Sequence, residues 1–218
     1  QGLPIELRQM QRLQEQHMMN LAPDGELRIF VRDLLRDGQD PVLPRITIRE
    51  EIPIAPQQLD IAGDTSDSEK AYYPQMSGSA VFKDDKIVGY FGEDETKGLL
   101  YGRGKILDTR EVIDDPFGEP GKVVLIAGDA ETTITPLWEE GRPRARIEIT
   151  TEGEICCQTS ASNIFTEEAI TLMQEKKESV ITGHVRRALH ESQKWGSDIF
   201  GIGSQFHRQM PAQWASMR

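Results

Sequence analysis

The sequence predicts an α+β fold: a mainly antiparallel sheet with a long helix packed on it, preceded by a smaller helix-and-strand domain. Three observations lead there. Apolar runs flank short polar turns at two places, Ser79–Tyr90 and Val123–Thr151, as β-hairpins do. The longest helical stripe, Ile170 to Leu189, follows those hairpins instead of alternating with them. Residues 27–49 read as a helix and then a strand.

Taken in order, residues 4–19 carry a rough apolar stripe of Leu7, Met10, Leu13, His17 and Met18, with Pro4 near the start, and predict a first helix. Leu27, Phe30, Val31, Leu34 and Leu35 then recur at the i, i+3, i+4, i+7, i+8 spacing of a core-facing helix, and Gly38 follows its end. Pro41 and Pro44 stop that helix, and Arg45–Arg49 alternates like a half-buried strand. Gly63–Lys70 lacks any large apolar residue and predicts an exposed connector. The expected boundary follows it, giving residues 1–70 as part of one domain with its linker and 71–218 as a second domain.

In the second domain the acidic turn Lys83-Asp84-Asp85-Lys86 closes the first hairpin. Glu93–Leu100 starts a short helix whose first turn holds Glu93, Asp94 and Glu95, the sign that suits a helix N-terminus. The second hairpin turns at Glu139–Arg142. Its return strand places Ala145, Ile147 and Ile149 inward and Arg144, Arg146 and Glu148 outward, so one face is wet. Thr166 is positioned to cap the long helix, which runs to about Lys194 before Gly196-Ser197.

Lys plus Arg number 25 against 36 Asp plus Glu, a net charge of −11 that repels phosphate backbones and disfavours nucleic acid and anionic lipid as partners. The apolar fraction of 37% is ordinary for a globular protein, and no run approaches the ~20 apolar residues that span a bilayer. With no N-terminal Met, signal segment or lipidation Cys, the chain reads as cut from something longer. The adjacent Cys156 and Cys157 point to opposite sides of a strand and are expected to be buried thiols.

Chemistry is hard to find. Gly98–Lys105 has one residue too many for a phosphate loop, and Ile106 stands where a hydroxyl is needed, so it reads as a Gly-rich turn after the short helix. Gly201-Ile-Gly203 lacks the third glycine of a dinucleotide fingerprint. His184 and His190 are six residues apart, the wrong spacing to share an ion on one helix, and Asp64, Ser66 and Ser68 have Glu69 where a calcium loop requires Gly. Ser79 and Ser204 lack the frame of a nucleophile elbow. The expectation is no catalytic residue, no cofactor and no metal.

Three stretches resemble a known family. Gly78-Ser-Ala-Val-Phe-Lys-Asp-Asp-Lys-Ile-Val-Gly89, followed by Glu95-Thr-Lys-Gly98, is similar to the opening of the C-terminal domain of spore germinant-receptor C subunits, a lipoprotein family. Gly196-Ser-Asp-Ile-Phe-Gly-Ile-Gly203, continuing through His207-Arg208 to Pro211-Ala-Gln-Trp214, resembles that family's tail. Phe30–Leu35 to Asp40–Pro44 resembles the stretch before the domain. Tyr101 and Gly102 depart from the apolar or aromatic run usual there. The resemblance implies a middle and a C-terminal domain divided as above, with the N-terminal domain, signal peptide, anchoring Cys and final strand region outside this sequence. It also implies a non-enzymatic subunit, lipid-anchored on the outer face of the spore inner membrane and working with the polytopic A and B receptor subunits in nutrient germination signalling. The alternative is an extracytoplasmic module that itself binds the germinant where the two domains meet. The apolar tail Ile199, Phe200, Ile202, Phe206, Met210 and Trp214 packs as core or as partner contact; Phe200, Phe206, His207 and Trp214 are the candidates for the latter.

Overall fold

The computed structural model describes residues 23–50 and 72–217. The helix expected over 4–19 and the connector at 63–70 lie outside the described residues. The elements in chain order are α1 (Leu27–Leu34), β1 (Val42–Glu50), β2 (Tyr72–Lys83), β3 (Lys86–Phe91), α2 (Glu93–Gly102), β4 (Thr109–Asp114), β5 (Lys122–Glu139), β6 (Arg142–Gln158), α3 (Glu167–Lys194), α4 (Ile202–Gln209) and α5 (Pro211–Met217).

Both hairpins form where the turns demand them. Asp84 and Glu140 take positive φ, 53° and 52°, in the tight turns that close β2–β3 and β5–β6. The strands make two three-stranded antiparallel sheets, β1-β2-β3 and β4-β5-β6. β1 pairs with β2 from Val42 opposite Val81 to Glu50 opposite Tyr72, so the first described strand shares a sheet with the hairpin that follows the connector. Along β6, Ala145, Ile147 and Ile149 are half-buried and Arg144, Arg146 and Glu148 exposed, as the alternation predicts. β4 has no counterpart in the expected elements.

The long helix α3 ties the two sheets together. Thr166 Oγ1 accepts from Ala169 N at 3.2 Å to cap it, and Gly196 at φ +66° follows its end. Its Ile181, Val185 and Ala188 enter the larger core with Leu99, Tyr101, Phe91 and Ile199. Its Ala169 and Met173 enter a second core with Ile113, Val123 and Ile164. α2 crosses α3 at backbone contact: a Cβ on Gly98 would lie 2.1 Å from the His184 carbonyl oxygen. Gly78, at φ +101°, has no room for a side chain beside the Phe91 carbonyl.

Four expectations need correction. Among the described residues, Leu27, Val31 and Leu35 of the α1 stripe are exposed, because α1 turns Asp33 inward and touches the core through Phe30, which meets Phe82 edge-to-face at 5.0 Å. Ile46 and Ile48 are exposed because the β1–β2 ribbon extends beyond β3, which pairs only with Ser79–Lys83. Ile170 is exposed, the inward position being taken by Ala169. Cys156 and Cys157 are both exposed: Cys156 sits at a register shift opposite Val124 and Leu125, on a strand at the edge of its sheet.

Candidate functional site

Asp33, Asp40, Arg103 and Asp198 meet where α1, the turn before β1, the end of α2 and the segment after α3 converge. Arg103, its side chain 14% exposed, reaches into this junction and donates three ways: Nε to the Ile199 carbonyl at 2.6 Å, Nη1 to Asp33 Oδ2 at 3.0 Å and Nη2 to the Asp40 carbonyl at 3.1 Å. Burial lowers its pKa and the Asp33 carboxylate acts against that shift. Asp33, 1% exposed, also accepts from Nε and Nη2 of Arg32. Asp40 accepts from Lys83 Nζ, Asp84 N and Asp198 N at 3.2, 3.1 and 2.7 Å.

Asp198 supplies the cap that Gly201, with no side chain, cannot give to α4: its carboxylate accepts from Ile202 N at 3.0 Å and Gly203 N at 2.6 Å. Burial pushes its pKa up. Gly38 and Gly203 make backbone contact, with Ser204 N donating to the Gly38 carbonyl at 2.8 Å. Ser197 Oγ donates to the Phe82 carbonyl at 2.6 Å, and the Trp195 ring fills the space a side chain on Gly89 would need. The segments that carry the family resemblance are thus one packed junction, although they are far apart in the chain.

The four residues singled out in the tail divide by exposure. Phe200 and Phe206 are 5% and 2% exposed; Phe200 fills the space over Gly102, and Phe206 meets Trp138 edge-to-face. His207 is exposed and Trp214 half-buried, their rings stacked with centroids 5.8 Å apart, and Trp214 covers Gly203. His207 Nδ1 is 4.0 Å from Asp37 Oδ2. Two cavities border the junction. The larger, about 240 Å³, has Arg32, Arg36, Lys105, Ile29, Leu100 and Phe200 in its walls.

A second polar cluster, between α2, β4 and α3, escaped the sequence reading. Glu111, 2% exposed, accepts from Tyr101 Oη at 3.2 Å and faces His184 Nε2 at 3.4 Å and Lys97 Nζ at 3.9 Å. Arg187 Nη2 lies 2.9 Å from both His184 Nδ1 and Asp94 Oδ2. Glu111 and His184 are the residue types of an acid–base pair, yet both are buried, consume each other's hydrogen-bonding capacity, and line neither junction cavity.

Tyr101 carries a pH signature. Burial first, then the Glu111 charge and hydrogen bond, raise its pKa above the ordinary 10.0. Above pH 10 the unfolded chain loses the phenolic proton while the folded chain keeps it, so stability falls as pH rises through that range. Tyr101→Phe removes this alkaline loss, at a neutral-pH cost of about 1–3 kcal/mol because Glu111 loses a donor. Urea unfolding at pH 7 and 11 measures both; equal alkaline loss in the two proteins contradicts the assignment.

No curated protein matches the chain. The crystal structure of the GerBC protein shares the fold, with a TM-score of 0.58 and 21% sequence identity over 66% of this chain; the chain spans 45% of that structure's length. The profile of the family described as spore germination B3/GerAC like, C-terminal, matches residues 77–218, more than half of the chain. The match includes the β2–β3 hairpin and the tail that meet at the Asp40–Asp198 junction. The chain therefore belongs to the spore germination B3/GerAC-like family, that of the germinant-receptor C subunits.

Proposed function

We propose that this chain is the middle and C-terminal part of a non-catalytic lipoprotein subunit that transmits the nutrient germination signal by contact with the membrane-embedded A and B receptor subunits. In this reading residues 1–70 belong to the middle domain and 71–218 form the C-terminal one. The protein works on the outer face of the spore inner membrane, held by a lipid anchor. Among the described residues no helix is long and apolar enough to cross a membrane. The observation that carries the reading is the junction: its buried ionic groups spend their donors and acceptors on one another and on backbone, as a mechanical support requires.

The stacked His207–Trp214 pair at the rim of that support is the proposed seat for a receptor subunit, with Phe200 and Phe206 fixing it from beneath. Trp214→Ala is expected to weaken receptor assembly in spore membranes, read by co-purification of the A and B subunits, while the melting temperature moves only a few degrees. A large fall in melting temperature would instead give Trp214 a core role. A second reading, direct germinant binding, is favoured by the cationic and apolar walls of the 240 Å³ cavity. Calorimetry against common germinants separates the two, since specific binding by this chain alone supports the second.

A further inference from the structure

The buried row of α3 includes Ala169, Met173, Lys177, Ile181, Val185 and Ala188, and among these only Lys177 is polar. The two cores part at that residue. Ala169 and Met173 belong to the smaller core, with Val180 at its margin, whereas Ile181, Val185 and Ala188 belong to the larger. Lys177 is 8% exposed; its Nζ donates to the Glu152 carbonyl at 3.0 Å and is under the field of the Glu111 carboxylate. β4 repeats the pattern, with Ile113 in the smaller core and the buried Glu111 at its next inward position. Tyr101, His184 and Lys97 meet Glu111 from α2 and α3. A layer of buried polar groups therefore separates one apolar core from the other.

The second sheet is interrupted at the same level. Ala127 pairs with Gly153 and Ala130 with Thr151, so Gly128 and Asp129 together stand against Glu152, a bulge at which the ribbon can bend. β4 lies wholly to one side of it, pairing from Thr109 opposite Ala127 to Asp114 opposite Lys122. Parting the molecule along this layer leaves each core packed within itself. It also returns Glu111 and Lys177 to water, and their hydration offsets the hydrogen bonds given up. Splitting either core would expose apolar surface with no such return.

We propose that the polar layer is a hinge built into the fold: β4, Lys122–Ile126, Glu154–Gln158 and Glu167–Lys176 open as one unit about the bulge, the α3 turn at Lys177 giving way, while the larger core stays closed. Ile199 and Phe200 root the tail in the larger core, so the opening unit moves relative to the proposed receptor seat. The hinge needs no partner and stands independently of that seat.

Native-state hydrogen exchange on the 218-residue chain tests it. Amides of Val123, Leu125 and Met173 should share one opening and exchange about tenfold or more faster than those of Val81, Leu100 and Val185. Lys177→Met makes the α3 row apolar from Met173 to Ile181 and should slow the first set toward the second. Lys177→Gln keeps a hydrogen-bonding group in the layer and should stay near the parent, with circular dichroism reporting the fold of both variants. Because the first comparison is made on the parent, it decides the matter even where a variant does not fold. One common opening for all six amides in the parent, or a Met variant that leaves their ratio unchanged, would overturn the proposal.

Discussion

Arg103→Leu should destabilise the fold by about 3–5 kcal/mol, because it leaves the Asp33 carboxylate buried without its main partner. The melting temperature should fall by on the order of 10 °C, at ~2–4 °C per kcal/mol for a chain of this size. The remaining partner, Arg32, is half exposed and offers only a partly solvated charge. The Ile199 and Asp40 carbonyls also lose their donors. Replacing Asp33 with Leu as well should recover part of the loss, since the unpaired buried charge is then gone; the two carbonyls keep the recovery incomplete. An unchanged melting temperature in the single variant would mean that the junction is wet and Arg103 replaceable by water.

Glu111→Ala is expected to cost a similar amount, about 3–5 kcal/mol, by removing the anion that Tyr101, His184 and Lys97 share. Its pH dependence identifies the cause. Burial lowers the Lys177 pKa and the Glu111 charge opposes that shift, so the substitution lowers it further. A lysine whose folded pKa is depressed gains stability as pH rises toward its unfolded value of 10.5. The deficit of Glu111→Ala should therefore narrow as pH is raised from 7 to 10.5. Thermal denaturation across that range measures it, and a deficit that is constant or grows would place the cost in lost packing instead.

The hairpins and the long helix were legible because their turns, caps and alternation are local properties: Asp84 and Glu140 in tight turns, Thr166 before Ala169, Ile147 and Ile149 between charges. β4 was not legible, since it inverts the usual pattern. It buries Thr109, Glu111 and Ile113 and exposes Val112, so hydrophobic alternation cannot reveal it. The same inversion hid the Glu111 cluster, whose members come from three separate elements. The α1 stripe misled in the opposite sense, because its inward side is organised around the Asp33–Arg103 ion pair, and a carboxylate at that position reads as surface. The junction itself was visible only as three motifs with a shared family resemblance; that they touch is a fact of long-range packing, with Asp40 bonded to Asp198 across most of the described chain.

The exposed thiols bear on how the contact surface is mapped. Cys156 and Cys157 are accessible on an edge strand and would compete with any introduced cysteine, so both must first become Ser. Site-directed crosslinking in intact spores then addresses the seating of the tail on the receptor directly. With His207→Cys as the probe and Glu178→Cys on the exposed face of α3 as the control, a short bifunctional reagent should join the His207 position to a membrane subunit and leave the Glu178 position uncoupled. Coupling at Glu178 with none at His207 would contradict the account.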